Sequence, residues 1–320
     1  MRRLNKFIPA VLLAALALAQ KPPTHPPAGE QDEIPTFTAD TNLVVLHASV
    51  FDKSGKLLTN IPLSAFHVYE NGVEQPIRNF RREDVPVSMG IIIDNSGSMR
   101  DKRSKVAAAS IALVKNSNPE DEVFIVNFND DAYLDQTFTN DTKKLEEALD
   151  KIDARGGTAM RDAISMSIDY LKAKGKREKK VLLVITDGND NTSNISLEQI
   201  VRKAQQSEVL IYSIGLLSEE EPREARQAKR ALKALAENSG ALDYYPKDLA
   251  EVDRITPQIA HEIRNQYMLA YLPINTAFDG KFRKINVLVK AGGNPTVRTR
   301  NGYYAPTGPP PKAVPGNTIK

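Results

Sequence analysis

Four nearly unbroken apolar runs occupy the middle of the chain: residues 87–94 (VSMGIIID), 123–128 (VFIVNF), 181–187 (VLLVITD) and 209–216 (VLIYSIGL). A half-buried strand alternates apolar and polar residues, whereas a strand covered on both faces of a parallel sheet reads as a continuous apolar run. Parallel neighbours need crossover connections, and the stretches between the runs carry helical periodicity. Leu145, Ala148, Leu149 and Ile152 recur at i, i+3, i+4, i+7, and Met160, Ala163, Ile164, Ser167, Ile168 and Leu171 continue in the same way. Ser196 and Gln199 form a capping box ahead of Leu197, Ile200, Val201 and Ala204. Ala225, Ala228, Leu232 and Leu235 mark a helix stopped by Gly240, and Leu249, Val252, Ile259 and Ile263 mark a last one with a bend at Pro257. Strand and helix alternate, so residues 85–264 are predicted to form an α/β domain with a doubly wound, mostly parallel, Rossmann-like sheet.

The flanks are of another kind. Residues 43–52, 57–70 and 73–80 are short and β-branched, punctuated by Ser54-Gly55 and by Asn71-Gly72, a strong hairpin signal. Residues 267–272, 284–290 and 297–304 resemble them, separated by Asp279-Gly280 and Gly292-Gly293. Each flank offers about three strands, near the minimum for independent stability. The expected arrangement pairs the N-terminal β segment (36–84) with the C-terminal one (265–306) in a small β-sandwich carrying the α/β domain between its halves. Two separate β units are the alternative.

At the N-terminus Arg2, Arg3 and Lys6 precede an apolar stretch from Phe7 to Ala19 that ends in Ala17-Leu18-Ala19. This is the pattern of a secretory signal cleaved near Ala19/Gln20. The stretch falls short of the roughly 20 residues of a permanent span. Residues 20–35 are Pro-rich and polar and read as an extended linker, and 307–320 as a disordered tail. The protein is therefore expected to be secreted or periplasmic, with no transmembrane segment once the signal is removed. Setting aside the three basic residues of the signal leaves 40 basic residues against 40 acidic ones, so net charge does not argue for nucleic acid. The chain has no cysteine, which excludes a disulfide framework, thiolate metal sites and a thiol nucleophile.

The first apolar run ends in Asp94-Asn95-Ser96-Gly97-Ser98, where a strand hands over to its helix. In an open α/β sheet this is the carboxyl edge, where ligands bind. Gly156-Gly157-Thr158 and Thr186-Asp187-Gly188 reach the same edge. Asp94, Ser96, Ser98, Thr158 and Asp187 supply only hard oxygen, the donor type that magnesium takes in near-octahedral geometry. Gly97 permits the sharp turn by which both serines face one point. Two carboxylates at most neutralise a divalent cation, so an acidic oxygen from a partner is a favourable last ligand.

These residues resemble the metal-ion-dependent adhesion site of the von Willebrand factor type A family, whose pattern is D-x-S-x-S, then a distant Thr, then a distant Asp. All five positions match in order, within about 180 residues of compatible strands and helices. The resemblance implies that Asp94, Ser96, Ser98 and Thr158 contact the ion directly or through water and that Asp187 acts through water. It implies magnesium, with manganese or calcium as substitutes, and an adhesion-type function toward a protein ligand offering an acidic side chain. The segment from Phe66 to Gly72 ahead of the domain, and Asn301-Gly302-Tyr303-Tyr304 at the end, is similar to bacterial secreted proteins of this family. An integrin β chain likewise carries such a domain inserted in a β-sandwich.

Other motifs carry less. Asp130, Asp131 and Asp190 read as solvated loop residues, and the run Lys172, Lys174, Lys176, Arg177, Lys179 and Lys180 as a solvated helix terminus. Tyr244-Tyr245 and Tyr303-Tyr304 read as strand packing. His261-Glu262 begins like a zinc-protease helix, but Asn265 stands where the second histidine belongs. The chain has no G-x-S-x-G, P-loop or G-x-G-x-x-G, and His25, His47, His67 and His261 all lie away from the candidate ligands in sequence, so no enzymatic activity is expected. Two further readings stay open: a structural or assembly module in which the metal only stabilises the domain, and a metal-dependent hydrolase.

Overall fold

The computed structural model describes residues 43–308 apart from 83, 151–153 and 218–220. The signal, the linker and most of the tail lie outside the described residues. The N-terminal flank holds β1 (Val44–Phe51), β2 (Phe66–Glu70), β3 (Val73–Gln75) and β4 (Ile77–Arg82). Then follow β5 (Val87–Asp94), α1 (Arg103–Lys115), β6 (Glu122–Phe128), β7 (Ala132–Thr139), α2 (Thr142–Asp150), α3 (Met160–Lys174) and β8 (Lys179–Thr186). After these come α4 (Leu197–Ser207), β9 (Leu210–Gly215), α5 (Pro222–Ser239), β10 (Asp243–Tyr244) and α6 (Leu249–Arg264). The C-terminal flank holds β11 (Tyr267–Tyr271), β12 (Phe282–Val289), β13 (Thr296–Arg298) and β14 (Gly302–Tyr304).

The central sheet runs β10-β9-β8-β5-β6-β7, parallel throughout except for β7, which pairs antiparallel with β6 at the edge. The four apolar runs are its four inner strands, buried along almost their whole length. Alternate residues of each strand face opposite layers. Met89, Ile91, Ile93, Leu183 and Tyr212 pack under α1, α2 and α6, while Ile92, Phe124, Val184 and Ile211 pack under α3, α4 and α5. The fold is thus the doubly wound α/β sheet that the apolar runs require. Edge strand β7 went unread because only its pairing partner gives it an identity: Tyr133, Leu134 and Asp135 are all exposed. The capping box forms as read, with Gln199 N–H donating to Ser196 Oγ at 3.2 Å and Ser196 N–H to Gln199 Oε1 at 2.7 Å. Pro257 lies inside a single helix, α6.

Two four-stranded antiparallel sheets flank this domain, ordered β13-β1-β11-β4 and β14-β12-β2-β3. Both sheets combine strands from before and after the α/β domain: they alternate in the first, where β1 lies between β13 and β11, and meet once in the second, where β12 pairs with β2. Leu46, Ala48 and Val50 of β1, Phe66 and Val68 of β2, Leu269 and Tyr271 of β11, and Ile285 and Val287 of β12 share one core between the sheets. Residues 73–80, which read as one strand, are cut at Pro76, and the two pieces join different sheets. Proline has no N–H for a ladder and holds the residue before it away from the helical region, so the chain changes layer there. Of residues 57–70 only the last five form a strand, preceded by a short 3-10 turn at Leu63–Ala65.

A buried polar cluster joins the sandwich to the last helix of the α/β domain. Ser49 Oγ of β1 donates to Glu262 Oε1 of α6 at 2.8 Å, Tyr212 OH of β9 donates to the same oxygen at 3.2 Å, and Gln266 Nε2 reaches both hydroxyls. Burial pushes the Glu262 carboxyl above the usual range, opposed by these hydrogen bonds and by Lys179. Lys179 itself is buried, with its ammonium donating to the Ile263 carbonyl. The basic run is therefore not uniformly a solvated terminus, because β8 begins at Lys179 and points it inward.

Burial lowers the Lys179 ammonium to about 7, with the Glu262 charge the first influence opposing that shift. An amine depressed in the folded state binds more protons when unfolded, so its contribution to stability grows from about pH 7 toward its ordinary range and is lost as pH falls back. Urea unfolding is expected to show stability rising between pH 7 and 9 more steeply in the wild type than in Lys179→Met. Equal slopes would clear Lys179 of any role.

Candidate metal centre

Three loops meet at the carboxyl edge of the central sheet and are tied by their own backbones. Asn95 N–H donates to the Phe128 carbonyl at 2.6 Å, Arg155 N–H to the Asn95 carbonyl at 3.0 Å, Ala159 N–H to the Asn129 carbonyl at 2.6 Å and Asn191 N–H to the Thr158 carbonyl at 3.1 Å. The strand ends of β5, β6 and β8 thereby fix the loops carrying Asp94, Thr158 and Asp187.

Asp94 is fully buried beneath the site. Its Oδ1 accepts from Ser96 N–H at 2.8 Å and its Oδ2 from Thr186 Oγ1 at 2.5 Å. Burial raises its carboxyl to about 6, against the lowering effect of the Thr186 and Ser96 hydrogen bonds, while the neighbouring charge of Asp187 adds to the rise. Above it Ser96 Oγ and Ser98 Oγ lie 3.2 Å apart, and Ser98 Oγ donates to Asp187 Oδ1 at 2.8 Å. Ser96, Ser98, Thr158 and Asp187 line one open depression together with Lys102, Asn189, Glu221 and Glu224. These oxygen spacings are hydrogen-bond distances, so the serine hydroxyls and the Asp187 carboxylate stand within reach of one another. The donors are two carboxylates and three hydroxyls; among the described residues no group of three or more His, Cys, Asp or Glu is assembled to hold a metal. All five residues singled out in the sequence therefore come to one place.

Several supporting residues were not legible as such. Asp130, read as solvated, accepts the Gly157 N–H at 2.7 Å and holds the Gly156-Gly157 turn. Asp190, with its side chain only 4% exposed, accepts from Arg161 Nη2 at 2.9 Å and from Ser193 Oγ at 2.7 Å, tying the β8 loop to α3. Thr186, one residue before Asp187, supports Asp94 instead of facing the depression. Arg103 is buried, donates to the Leu149 carbonyl at 3.1 Å, and places its charge near Asp94. Of these only Thr186 has a local signal, its place next to Asp187; the partners of Asp130, Asp190 and Arg103 depend on the loops meeting.

Gly156 has φ +78°, and a Cβ built there would stand 2.2 Å from Asp130 Oδ2. Gly156→Ala is expected to lower unfolding free energy by about 1–2 kcal/mol through left-handed strain and loss of the Asp130 contact. Thermal melts read the loss directly, and an unchanged melting temperature would mean that the turn relaxes without cost.

A doubly wound sheet that gathers two carboxylates and three hydroxyls at its carboxyl edge defines an A-type α/β domain with an oxygen-donor site. Residues 89–189 match the family model for the von Willebrand factor type A domain. An uncharacterized protein of Borreliella burgdorferi is 30% identical over 141 residues, which is 43% of this chain and 40% of that one. Mouse integrin alpha-11 is 35% identical over 103 residues, 30% of this chain and 8% of the integrin. This chain thus spans well under two thirds of the length of the curated relatives it matches. Among solved structures, a von Willebrand factor type A protein from Catenulispora acidiphila aligns over 74% of this chain and 75% of its own, at 12% identity and a TM-score of 0.47.

Proposed function

We propose that this is a secreted or periplasmic interaction protein of adhesion type. In this reading Asp94, Ser96, Ser98, Thr158 and Asp187 hold a divalent cation, magnesium or in its place manganese or calcium, and engage an acidic group of a protein partner there. The observation that carries the reading is the convergence of Ser96, Ser98, Thr158 and Asp187 on one open depression, with the buried Asp94 carboxylate beneath them and tied to Ser96. A bound ion would supply an electrophilic coordination position to which a carboxylate from outside can bind. The chain's own residues do the rest. Asp94 is held by Thr186 and Ser96, Ser98 is oriented by Asp187, and Thr158 is placed by a turn clamped on Asp130.

Export rests on the N-terminal sequence pattern; among the described residues no helix is long and apolar enough to cross a membrane. Binding rather than catalysis is favoured because His47, His67 and His261 sit on β1, β2 and α6, and among the described residues no histidine lines the depression to act as a general base. Magnesium or manganese titrated into the purified protein by calorimetry tests the reading: saturable binding supports it, and its absence leaves a metal-independent scaffold. Partner capture insensitive to chelator would move the function to the sandwich surface. Turnover of a hydrolysable substrate would replace it with metal-dependent hydrolysis.

A further inference from the structure

We propose that Lys102 sets the cation affinity of this site by competing for Asp187, an inference that rests on the reading of the depression as a divalent-cation site. Lys102 lies just ahead of α1, on the turn that follows the two serines, with its N–H donating to the Met99 carbonyl at 2.9 Å. The Asp187 side chain is only 1% exposed and its two oxygens are divided. Oδ1 takes the Ser98 hydroxyl at 2.8 Å, and Oδ2 takes the Lys102 ammonium at 2.5 Å. Lys102 lines the same depression as Ser96, Ser98 and Thr158.

The consequence is electrostatic. An ammonium and a divalent cation drawn to one carboxylate repel each other, and the lysine is 27% exposed, so solvent screens that repulsion only in part. Of the two candidate ligand carboxylates, Asp187 is directly paired with a built-in positive charge, whereas Arg103 lies near Asp94 without an ion pair, so Asp94 carries the larger share of the charge that would hold the ion. Such a site holds a cation weakly by itself and more firmly when an outside anion adds its charge, which couples ion uptake to capture of the acidic group. The flexible four-carbon stem of lysine lets the ammonium swing off Asp187 toward the rim, where Glu221 and Glu224 lie and the incoming acidic group would arrive.

The test is calorimetric titration of magnesium into five full-length proteins: wild type, Lys102→Met, Lys102→Arg, Asp187→Asn, and Lys102→Met combined with Asp187→Asn, each checked for folding by circular dichroism. Lys102→Met is expected to bind magnesium about tenfold more tightly than the wild type, while Lys102→Arg, which keeps the charge, stays near it. In the Asp187→Asn background, compared with Asp187→Asn alone, the gain should vanish, because the contested carboxylate is gone. In chelator, Lys102→Met should also melt below the wild type, having lost the pair that balances Asp187. Equal or weaker magnesium binding by Lys102→Met overturns the inference and leaves the metal reading standing. If neither protein takes up magnesium or manganese, the metal reading itself fails and the inference goes with it.

Discussion

Asp94→Ala is expected to abolish saturable magnesium binding, weakening it by more than about 100-fold, while the protein stays folded. The two halves of that expectation have separate causes. Of the two candidate ligand carboxylates, Asp94 is the one with no direct ion pair among the described residues, Arg103 acting on it only as a nearby charge, so removing it takes away both a candidate oxygen and much of the charge that offsets a dication. Stability is another matter, since the ionised form of Asp94 is costly where it lies, as its carboxyl at about 6 indicates. Alanine removes that cost but leaves the Thr186 hydroxyl and the Ser96 N–H without their acceptor, at about 1–3 kcal/mol for each group that finds no water. These opposing contributions bring the net change to within a few kcal/mol, and the buried strands retain their packing. Calorimetry beside circular dichroism separates the outcomes. Lost uptake with an intact spectrum assigns Asp94 to the site, retained uptake removes it from the ligand set, and global unfolding makes the carboxylate a structural group.

The largest effect on stability is expected from Gly240→Ala, at about 3 kcal/mol or more. Gly240 ends α5 with φ +90°, a left-handed conformation that an alanine adopts only with strain. Strain alone would cost on the order of 1 kcal/mol. The larger part comes from space: a Cβ there would stand 2.4 Å from the Arg300 nitrogen and 2.7 Å from the Thr299 carbonyl carbon. Those atoms are backbone and cannot rotate away, so the segment between β13 and β14 must move off the helix end. Arg300 would move with it, and its Nη2 holds the Val45 carbonyl at 2.8 Å and Glu208 at 3.0 Å. The damage should therefore appear where the sandwich meets the α/β domain. Urea unfolding measures it, and a loss below 1 kcal/mol would show that the 299–300 segment yields freely.

Gly240 also shows how far a sequence can be read. As a helix stop it was legible, because the apolar periodicity ends there and glycine is the residue that tolerates a left-handed cap. That a distant backbone passes within reach was not, since nothing near residue 240 encodes the approach of residue 300. The same division runs through the site. Asp94, Ser96, Ser98, Thr158 and Asp187 could be singled out because their residue types and their places after buried runs agree. Lys102 and Asp130 could not, because lysine and aspartate on a polar loop acquire a role only from what folds against them. Lys179 was misread for a related reason: in a basic run, only the register of β8 decides which amine is buried.

By itself the sequence determined the layered α/β core, the direction of its strands and the end of the sheet where oxygen donors gather. Those properties follow from local apolar periodicity and from the rule that parallel strands need crossovers, and each is written within a window of a few residues. Only the tertiary structure decided that β1 lies beside β11 and β2 beside β12, that Pro76 sends β3 and β4 to different layers, and that the Lys102 ammonium falls on Asp187. Each of these is a meeting of segments far apart in the chain, or of side chains from separate loops. Their energies depend on distance and burial, which no local stretch of sequence contains.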